Sequence, residues 1–396
     1  MKENKLKKIY GGLCLCSVFR SVWDSPLLRA YEAYCLCEDG KTFEKYKAYA
    51  AFVAEIYRQG GSLTELVKRL VFEDENVYIK GVANGKALPA ALKDSAKSEL
   101  RCFAAFGALT RADFAADMGT DEESLPDFSS VNADVVGAYQ ERLQNLHRHG
   151  YGIFSSHCMF RFSDDKKIEP IVSADKTGMA QFIGYETQRE SVVANTRAFL
   201  EGRPAANALL CGDAGTGKSS TVKAIANEFF NEGLRLIELR KDQLRYLPTV
   251  MAHINGNPLK FIIFIDDLSF NQNNDDFSML KAALEGSASA TADNAVIYAT
   301  SNRRHIVKES FGDREGDDVH RNDTLQETLS LSERFGLTVL FSKPDKALYL
   351  KIVRELAKRN SLNIPDAELA IKAEAFALKK GSRSARAAEQ FIHSLL

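Results

Sequence analysis

The sequence predicts an α/β fold in which a mostly parallel β-sheet is preceded by an α-helical domain and followed by a smaller helical one. Three observations predict it. Between residues 205 and 302, short apolar runs alternate with segments of helical periodicity, and such alternation favours parallel strands with helices on both faces. Residues 1–150 and residues 343–396 instead show mainly the three- and four-residue apolar spacing of amphipathic helices.

Composition and charge exclude several classes of protein. Apolar residues make up 45% of the 396 positions and charged residues 27%, which supports a buried core and argues against disorder. Lysine and arginine (52) almost cancel aspartate and glutamate (53), so nucleic-acid binding would require a local basic face. The longest apolar runs, such as 261–265, fall far short of the roughly 18 residues that a membrane helix needs. We therefore expect no membrane anchor.

The seven cysteines are odd in number and scattered, which does not suggest a disulfide framework. A reducing compartment fits this pattern, and we expect a cytoplasmic protein. Cys14 with Cys16, and Cys35 with Cys37, form two C-x-C pairs. Zinc sites usually space their ligands C-x2-C. Buried thiols are therefore the favoured interpretation, with a metal site as the alternative.

Four parts are predicted along the chain. Residues 1–150 form the helical domain, with a polar, turn-rich surface loop at 119–134. Aromatic and β-forming residues predict a short hairpin in a linker at 151–183, before an α/β core at 184–342 and a helical lid at 343–396. In the core, strands are predicted at 205–212, 234–239, 261–267 and 294–301, and helices at 219–233, 241–256 and 275–287.

A phosphate-binding loop follows the first core strand. Residues 212–219 read G-x4-G-K-S between a strand and a helix, which is the context that this motif requires. Glycines let backbone N–H groups converge on phosphate oxygens, and the following helix directs its positive end to the same place. Lys218 is predicted to bridge the β- and γ-phosphates, and the Ser219 hydroxyl to ligate Mg²⁺. The predicted nucleotide-contacting residues are Gly212, Asp213, Ala214, Gly215, Thr216, Gly217, Lys218, Ser219 and Ser220. Of these, Ser220 fits a packing role better than a nucleotide contact.

Two carboxylates and an amide are predicted beside this loop. Asp266 and Asp267 end the apolar strand at 261–265, and Asn302 ends the neighbouring strand. Open α/β sheets bind ligands at the carboxyl ends of their strands. We expect Asp266 to hold Mg²⁺, Asp267 to polarise an attacking water and Asn302 to position that water. Helix-capping aspartates and a turn asparagine are the alternatives.

Three arginines are candidates for stabilising a transferring phosphoryl group, which suits the planar and permanently charged guanidinium. Arg334 lies in the segment SLSERFGLTVLF at 330–341, and Arg383 and Arg386 lie at the start of the last helix. Taken singly, each also fits a solvated surface arginine. Their position in the chain, after the other motifs, is what favours a role in phosphoryl transfer.

The motifs, taken in order, resemble those of the AAA+ ATPases over residues 184–396. The loop, the Asp-Asp strand, TSN at 300–302, SERFG at 332–336 and the helical tail carry this resemblance. A bacterial AAA+ family of unassigned role is similar in more detail, through IGYETQRE at 183–190, DDLSF at 266–270, LKAALEGS at 280–287, YATSNRRH at 298–305, VHRNDTLQETLSLSERFG at 319–336 and ARAAEQFI at 385–392.

This resemblance implies a five-stranded parallel core with a helical lid, and ATP and Mg²⁺ as ligands. It implies that Asn302 is the first sensor of the γ-phosphate, that Arg334 reaches a neighbouring subunit's nucleotide, and that Arg386 is the lid sensor, with Arg383 as the alternative. Residues 184–189 would pack against the adenine. An arginine acting on a neighbour implies a homo-oligomeric ring, most often of six subunits.

Several functions remain open at this point. The first is an ATPase that remodels an unidentified protein partner. The second is a nucleotide-gated adaptor or helicase-loader-like protein with slow hydrolysis, since Asp267 stands where many relatives have glutamate. A P-loop kinase and a binding-only protein are further alternatives. Asn302, Arg334 and the helical lid argue against the kinase, and the complete set of expected groups argues against a silent site.

Overall fold

The computed structural model describes residues 4–38, 42–268, 292–302 and 334–396, together with Leu280 and Leu284. These residues form two compact units, Met1–Ser156 and His157–Leu396, and each unit is described by itself. No helix in the described residues is long and apolar enough to cross a membrane.

The first unit is α-helical, as predicted. Side-chain oxygens of Ser25, Ser62 and Asn76 accept backbone N–H groups at the starts of three helices, which satisfies donors that a helix leaves unpaired. The predicted loop at 119–134 contains one short 3-10 turn, Glu122–Ser124, and an isolated β-bridge from Ser129 to Ser62. The helices are α1 (Lys5–Cys14), α2 (Pro26–Cys35), α3 (Thr42–Arg58), α4 (Leu63–Glu73), α5 (Val77–Ala83), α6 (Ala90–Gly107), α7 (Arg111–Met118), α8 (Val135–Gln144) and α9 (Leu146–His149).

Aromatic side chains dominate the interior of this helical unit. The rings of Tyr31 and Phe106 lie 4.7 Å apart, and the rings of Phe52 and Phe114 lie 5.4 Å apart. These separations are within the range of favourable aromatic contacts. All four side chains are fully buried, so they hold α2, α3, α6 and α7 in one core.

The second unit is built on a mostly parallel sheet, which confirms the predicted fold class. The described strands are β1 (Met159–Phe162), β2 (Ile168–Pro170), β3 (Ala208–Gly212), β4 (Leu234–Glu238), β5 (Lys260–Ile265), β6 (Ala295–Ser301) and β7 (Leu337–Phe341). Their order is β2-β1-β4-β5-β6-β3-β7, and only the β1–β2 pair is antiparallel among them. The helices described between the strands are α10 (Glu186–Leu200), α11 (Lys218–Glu228) and α12 (Leu247–Ile254).

The hairpin predicted in the 151–183 linker extends this sheet. Strand β1 pairs in parallel with β4, so the five parallel strands of the prediction become a sheet of seven in the described residues. Met159, Phe160 and Phe162 are buried, and burial of these apolar side chains offers a driving force for docking the hairpin on the edge of β4. Its strands also satisfy backbone groups that an open edge would leave unpaired.

Both faces of the central strands β3, β4, β5 and β6 are buried. One set of alternating side chains, which includes Leu210 and Phe264, packs with Val192 of α10 and Val222 and Ile225 of α11. The intervening residues, such as Leu209 and Ile263, are equally inaccessible to solvent. Strands buried on both faces explain the continuous apolar runs in the sequence.

Three helices follow the sheet and form the predicted lid: α13 (Lys346–Arg359), α14 (Asp366–Lys379) and α15 (Ala385–His393). Tyr349, Ile352 and Phe391 lie in their shared core. Asp345 and Ser384 cap the first and third of these helices through their side-chain oxygens. The helix predicted at 275–287 lies outside the described residues, apart from Leu280 and Leu284.

Candidate functional site

Strand order brings the predicted site residues to one edge of the sheet. β6 lies between β5 and β3, so the residues that follow these three strands are neighbours at the carboxyl edge. Asp266 and Asp267 follow β5, Asn302 follows β6, and the glycine-rich loop follows β3. Their proximity is therefore a consequence of the parallel topology.

The loop between β3 and α11 depends on glycine at its first position. Gly212 has φ +130°, and a Cβ atom there would lie 2.1 Å from the Phe341 carbonyl oxygen. No side chain fits at that distance, so only glycine lets the loop start against β7. Gly217, with φ +90°, ends the loop and starts α11.

Lys218 is a buried cation at the start of α11. Its Nζ atom donates hydrogen bonds to the carbonyl oxygens of Gly212 (3.1 Å) and Asp213 (2.7 Å) and to Oδ1 of Asn302 (2.9 Å). Burial lowers the pKa of the Lys218 ammonium, and this effect exceeds the opposing influence of the nearby carboxylates, of which Asp213 is the largest. The ammonium thus lies at the mouth of the loop, supported by one side-chain oxygen and two carbonyls.

Asp266 is the centre of a second set of hydrogen bonds. Its Oδ1 atom accepts from the hydroxyls of Ser219 (2.5 Å) and Thr300 (2.6 Å) and from the backbone N–H of Asp267 (3.1 Å). Thr300 also accepts from that N–H at 2.9 Å. The structure thus brings together Ser219 and Asp266, which the sequence predicts as magnesium partners.

Sequence reasoning missed Thr300. It lies two residues before Asn302 on β6, and side chains two apart on a strand share a face. The polar side chain of Thr300, two residues before Asn302, is the feature of the sequence that could have indicated a role in the site. Thr300 lies among apolar residues, which include Ile297 and Ala299, so the segment was interpreted as a buried strand without a polar role.

Asn302 joins Lys218 to Asp267. Its Nδ2 atom donates to Oδ1 of Asp267 at 2.7 Å, while its own Oδ1 accepts from Lys218. Asp267 has φ +52°, a left-handed conformation that few residues other than glycine, asparagine and aspartate adopt readily. The turn after β5 therefore directs this carboxylate toward the end of β6.

These donors fit a magnesium nucleotide. Mg²⁺ prefers oxygen ligands and is usually held by one or two protein groups, the phosphates and several waters. The Ser219 hydroxyl and the Asp266 carboxylate supply such oxygens beside the loop. No group of three or more His, Cys, Asp or Glu side chains in the described residues could hold a metal by itself.

The two lid arginines differ in their surroundings. Arg383 forms two hydrogen bonds with the Glu374 carboxylate, from Nε at 3.0 Å and Nη2 at 2.7 Å. Arg386 is exposed, its backbone N–H lies 3.5 Å from the Gly215 carbonyl oxygen, and its Cβ atom lies beside the loop. Of the two, the position of Arg386 fits a phosphate contact better.

The structure does not bring Arg334 to the loop of its own chain. Arg334 precedes β7, whose last residue Phe341 pairs with Gly212. Leu337, the first residue of β7, pairs with Ala208, the first residue of β3, and Arg334 precedes that pair. Arg334 thus lies toward the opposite edge of the parallel sheet.

Residues 184–189 contact the lid. A Cβ atom on Gly184, which has φ +76°, would lie 2.5 Å from Leu348 of α13. Arg189 is buried, donates a hydrogen bond to the Gly184 carbonyl oxygen and lies over the Phe182 ring. Burial lowers the pKa of this arginine.

Of the four C-x-C thiols, Cys16 is buried and Cys35 is half-buried. Burial is the main cause that raises the pKa of Cys16 to about 12 and the pKa of Cys35 to about 12. Such thiols are mostly protonated near neutral pH and are poor metal ligands. Cys14 is exposed, and Cys37 is half-buried like Cys35.

Comparison with known protein families identifies the chain. Residues 155–396 match DUF815, a family described as proteins of unknown function. The chain belongs to the DUF815 family. The match covers the sheet and the lid, together with every residue predicted for the site.

Solved structures with detectable similarity include the RuvB Holliday junction branch migration motor of Thermotoga maritima. It shares 14% identity with this chain at a TM-score of 0.34, over 56% of this chain and 72% of RuvB. Two RuvB variants from the same organism give 15% and 16% identity at TM-scores of 0.35 and 0.34, with the same coverage. No curated protein sequence matches the chain.

Proposed function

We propose that this DUF815 protein is an AAA+ type ATPase that binds Mg-ATP at residues 212–219 and hydrolyses it to remodel a protein partner. One observation carries the proposal. Lys218, Ser219, Asp266, Asp267 and Asn302 come from three different strand ends and form one connected set of hydrogen bonds at the mouth of the glycine loop.

Binding would use the loop backbone and Lys218. Backbone N–H groups at the start of α11 form a positive end that attracts phosphate. The Lys218 ammonium is held by the carbonyl oxygens of Gly212 and Asp213, and phosphate oxygens would be stronger partners for a buried cation. We infer that this ammonium moves from the carbonyls to the β- and γ-phosphates when the nucleotide binds.

Ser219 and Asp266 would hold the metal, Ser219 directly and Asp266 through water. A bound Mg²⁺ would neutralise charge on the phosphates. The hydroxyl of Thr300, on the neighbouring strand β6, donates a hydrogen bond to the Asp266 carboxylate, so that this carboxylate is already oriented.

Asp267 and Asn302 would prepare the attacking water. In the structure the Asp267 carboxylate accepts the Asn302 amide at 2.7 Å. That contact places both groups beside the Lys218 ammonium, where the γ-phosphate would lie. Asp267 would then accept the proton of a water that Asn302 orients.

Two substitutions test this assignment. Lys218→Ala should abolish Mg-ATP binding, because a buried cationic partner of the phosphates is lost. Asp267→Asn should retain binding but reduce phosphate release at least a hundredfold, since an amide cannot accept the proton. Nucleotide titration and phosphate release measured on the same samples check both. Wild-type protein with no affinity for Mg-ATP would refute the proposal.

A nucleotide-gated adaptor or helicase-loader-like protein is the second candidate. It is favoured by Asp267 itself, whose carboxylate is one methylene shorter than that of glutamate and is engaged at Oδ1 by the Asn302 amide, so that it reaches less far toward a water. Slow hydrolysis would follow. Turnover measured with and without single-stranded DNA separates the two candidates: stimulation by DNA favours the loader, and rapid basal turnover favours the remodeller.

We further propose a cytoplasmic homo-oligomer, with a hexameric ring as the expected form, in which Arg334 completes the site of a neighbouring subunit. The distance of Arg334 from the loop of its own chain supports a role in trans. The exposed Arg386 beside Gly215 supports its role as the lid sensor.

A further inference from the structure

The chain segment that joins β7 to the lid is held at three consecutive residues. The Phe341 carbonyl accepts the backbone N–H of Asp213 at 3.0 Å, and the Ser342 carbonyl accepts the Tyr185 hydroxyl at 2.7 Å. The backbone N–H of Lys343 donates to Oδ2 of Asp213 at 2.5 Å. Two of these three contacts belong to a single residue of the glycine loop.

Asp213 is an unusual residue for this position on electrostatic grounds. A carboxylate next to bound phosphates is disfavoured by like-charge repulsion. Its contribution to phosphate binding would therefore come from the backbone, and its side chain has a different partner in the Lys343 N–H. The hydrogen bond to Lys343, rather than phosphate binding, therefore accounts for a carboxylate at this position.

The same loop also touches the far end of the lid. A Cβ atom on Gly215 would lie 3.3 Å from Oγ of Ser384 and 3.4 Å from Cβ of Arg386. Ser384 is buried and caps α15. The loop therefore contacts the lid at its first residues, through Asp213, and at its third helix, through Gly215.

We propose that Asp213 is a positioning residue that ties the glycine loop to the start of the lid, so that the orientation of the lid follows the occupancy of the loop. This inference rests on the proposed nucleotide-binding function. When phosphates pull Lys218 away from the Asp213 carbonyl, the backbone of Asp213 adjusts, and its bonds to Phe341 and Lys343 carry that adjustment to α13.

Hydrogen exchange on the full chain tests the proposal. Samples with and without Mg-ATP are compared, each at a nucleotide concentration that saturates the variant in use. In the wild-type chain, Mg-ATP should slow exchange of the α13 amides (346–359) about tenfold, a coupling of ordinary size. Asp213→Ala should lose most of this slowing, because Lys343 loses its acceptor. Asp213→Asn should keep it, because the amide oxygen still accepts that N–H.

Asp345→Ala is the matched control. Asp345 is an exposed carboxylate in the same segment, and it caps α13 by accepting the Leu348 N–H at 2.7 Å. Its loss should speed exchange of α13 in both states but leave the tenfold difference between them. A general weakening of the lid is thereby distinguished from a loss of coupling.

The possible outcomes distinguish a failure of this inference from a failure of the proposed ATPase function. If the wild-type chain binds and hydrolyses Mg-ATP but Asp213→Ala keeps the full slowing, the positioning role is wrong and the ATPase assignment stands. Asp213→Asn behaving like Asp213→Ala would also overturn the hydrogen-bond role. A wild-type chain that binds no Mg-ATP would refute both.

Discussion

At the scale of the residue, the Thr300 hydroxyl supports both predicted carboxylates. It donates to Asp266 at 2.6 Å and accepts the backbone N–H of Asp267 at 2.9 Å, and the residue is only 2% exposed. A buried hydroxyl with both functions satisfied is difficult to replace, since its partners cannot turn to water. Thr300 therefore controls how Asp266 and Asp267 face the loop.

Thr300→Val tests this role of the hydroxyl, because valine keeps the shape of the side chain and removes the hydroxyl. We expect a loss of about 1–3 kcal/mol in the free energy of unfolding, and phosphate release that needs more Mg²⁺ to reach half its maximum. Thr300→Ser is the control, since it retains the hydroxyl and should remain close to the wild type in Mg²⁺ requirement. Urea unfolding and magnesium titration of phosphate release measure the two effects. A valine variant that matches the serine variant in both would contradict the role.

Residues that belong to a recognisable motif could be predicted from the sequence. Residues that position a motif residue through a hydrogen bond could not. Lys218, Ser219 and Asp266 lie together because parallel strands align their carboxyl ends, and the alternating pattern reveals that alignment. Thr300 and the lid contact of Asp213 depend on which neighbour each side chain faces. That choice is made by strand order and by loop geometry, and neither is readable from local spacing.

At the scale of the element, a buried ion pair joins α3 to α7. Nζ of Lys45 lies 3.1 Å from Oδ2 of Asp117, and the two side chains are 9% and 8% exposed. Burial alone raises the pKa of the Asp117 carboxyl, but hydrogen bonds from Tyr34, Lys45 and Asn4 together outweigh it and leave that pKa below its usual value. A carboxyl with a lowered folded pKa stabilises the fold above its unfolded pKa, and this stability is lost as pH falls through the folded pKa.

Lys45→Met should therefore lower the free energy of unfolding at neutral pH and lower it less in acid. At pH 7 the variant leaves a buried carboxylate without its cation, which costs about 3 kcal/mol. Below about pH 4, the usual range for aspartate, protonation of Asp117 removes the uncompensated charge and the difference from the wild type should narrow. Urea unfolding followed by circular dichroism across pH measures it. The N-terminal unit's own transition is the relevant one.

An exposed pair supplies the control for this pH series. Arg29 and Asp24 lie 3.2 Å apart with side chains 66% and 82% exposed. Such pairs contribute at most about 1 kcal/mol, so Arg29→Met should change little at any pH. A Lys45→Met deficit that stays constant from neutral to acid conditions would rule out the charge-based account of Asp117.

Elements differ in how far the sequence predicted them. The helices of the first unit and the strands of the core follow their apolar periodicity, because each buries one face or two. The hairpin at β1 and β2 was predicted as a hairpin, but its partner was not. Its docking on β4 is a long-range edge contact, and local sequence does not encode which edge receives it.

At the scale of the whole molecule, the position of Arg334 bears on assembly. Arg334 lies before β7, whereas the loop lies beyond the other end of that strand. Arg334 therefore lies toward the edge of the sheet that is away from Lys218 of the same chain. We therefore expect that Arg334, if it acts in hydrolysis, acts on the nucleotide of another copy, which would require a head-to-tail interface of the kind that closes into rings.

Mixing two inactive variants tests this directly. Arg334→Ala should bind Mg-ATP but hydrolyse it about a thousandfold more slowly, the loss expected for a missing arginine finger. Lys218→Ala should bind no nucleotide, yet it retains Arg334. In an equal mixture, a Lys218→Ala copy can offer its arginine to the intact loop of an Arg334→Ala neighbour, and random placement in a ring makes about a quarter of the sites complete. Phosphate release should therefore rise from near zero to about a quarter of the wild-type rate. Sedimentation of the same mixture shows whether copies associate, so a mixture that associates and stays inactive would exclude a role in trans.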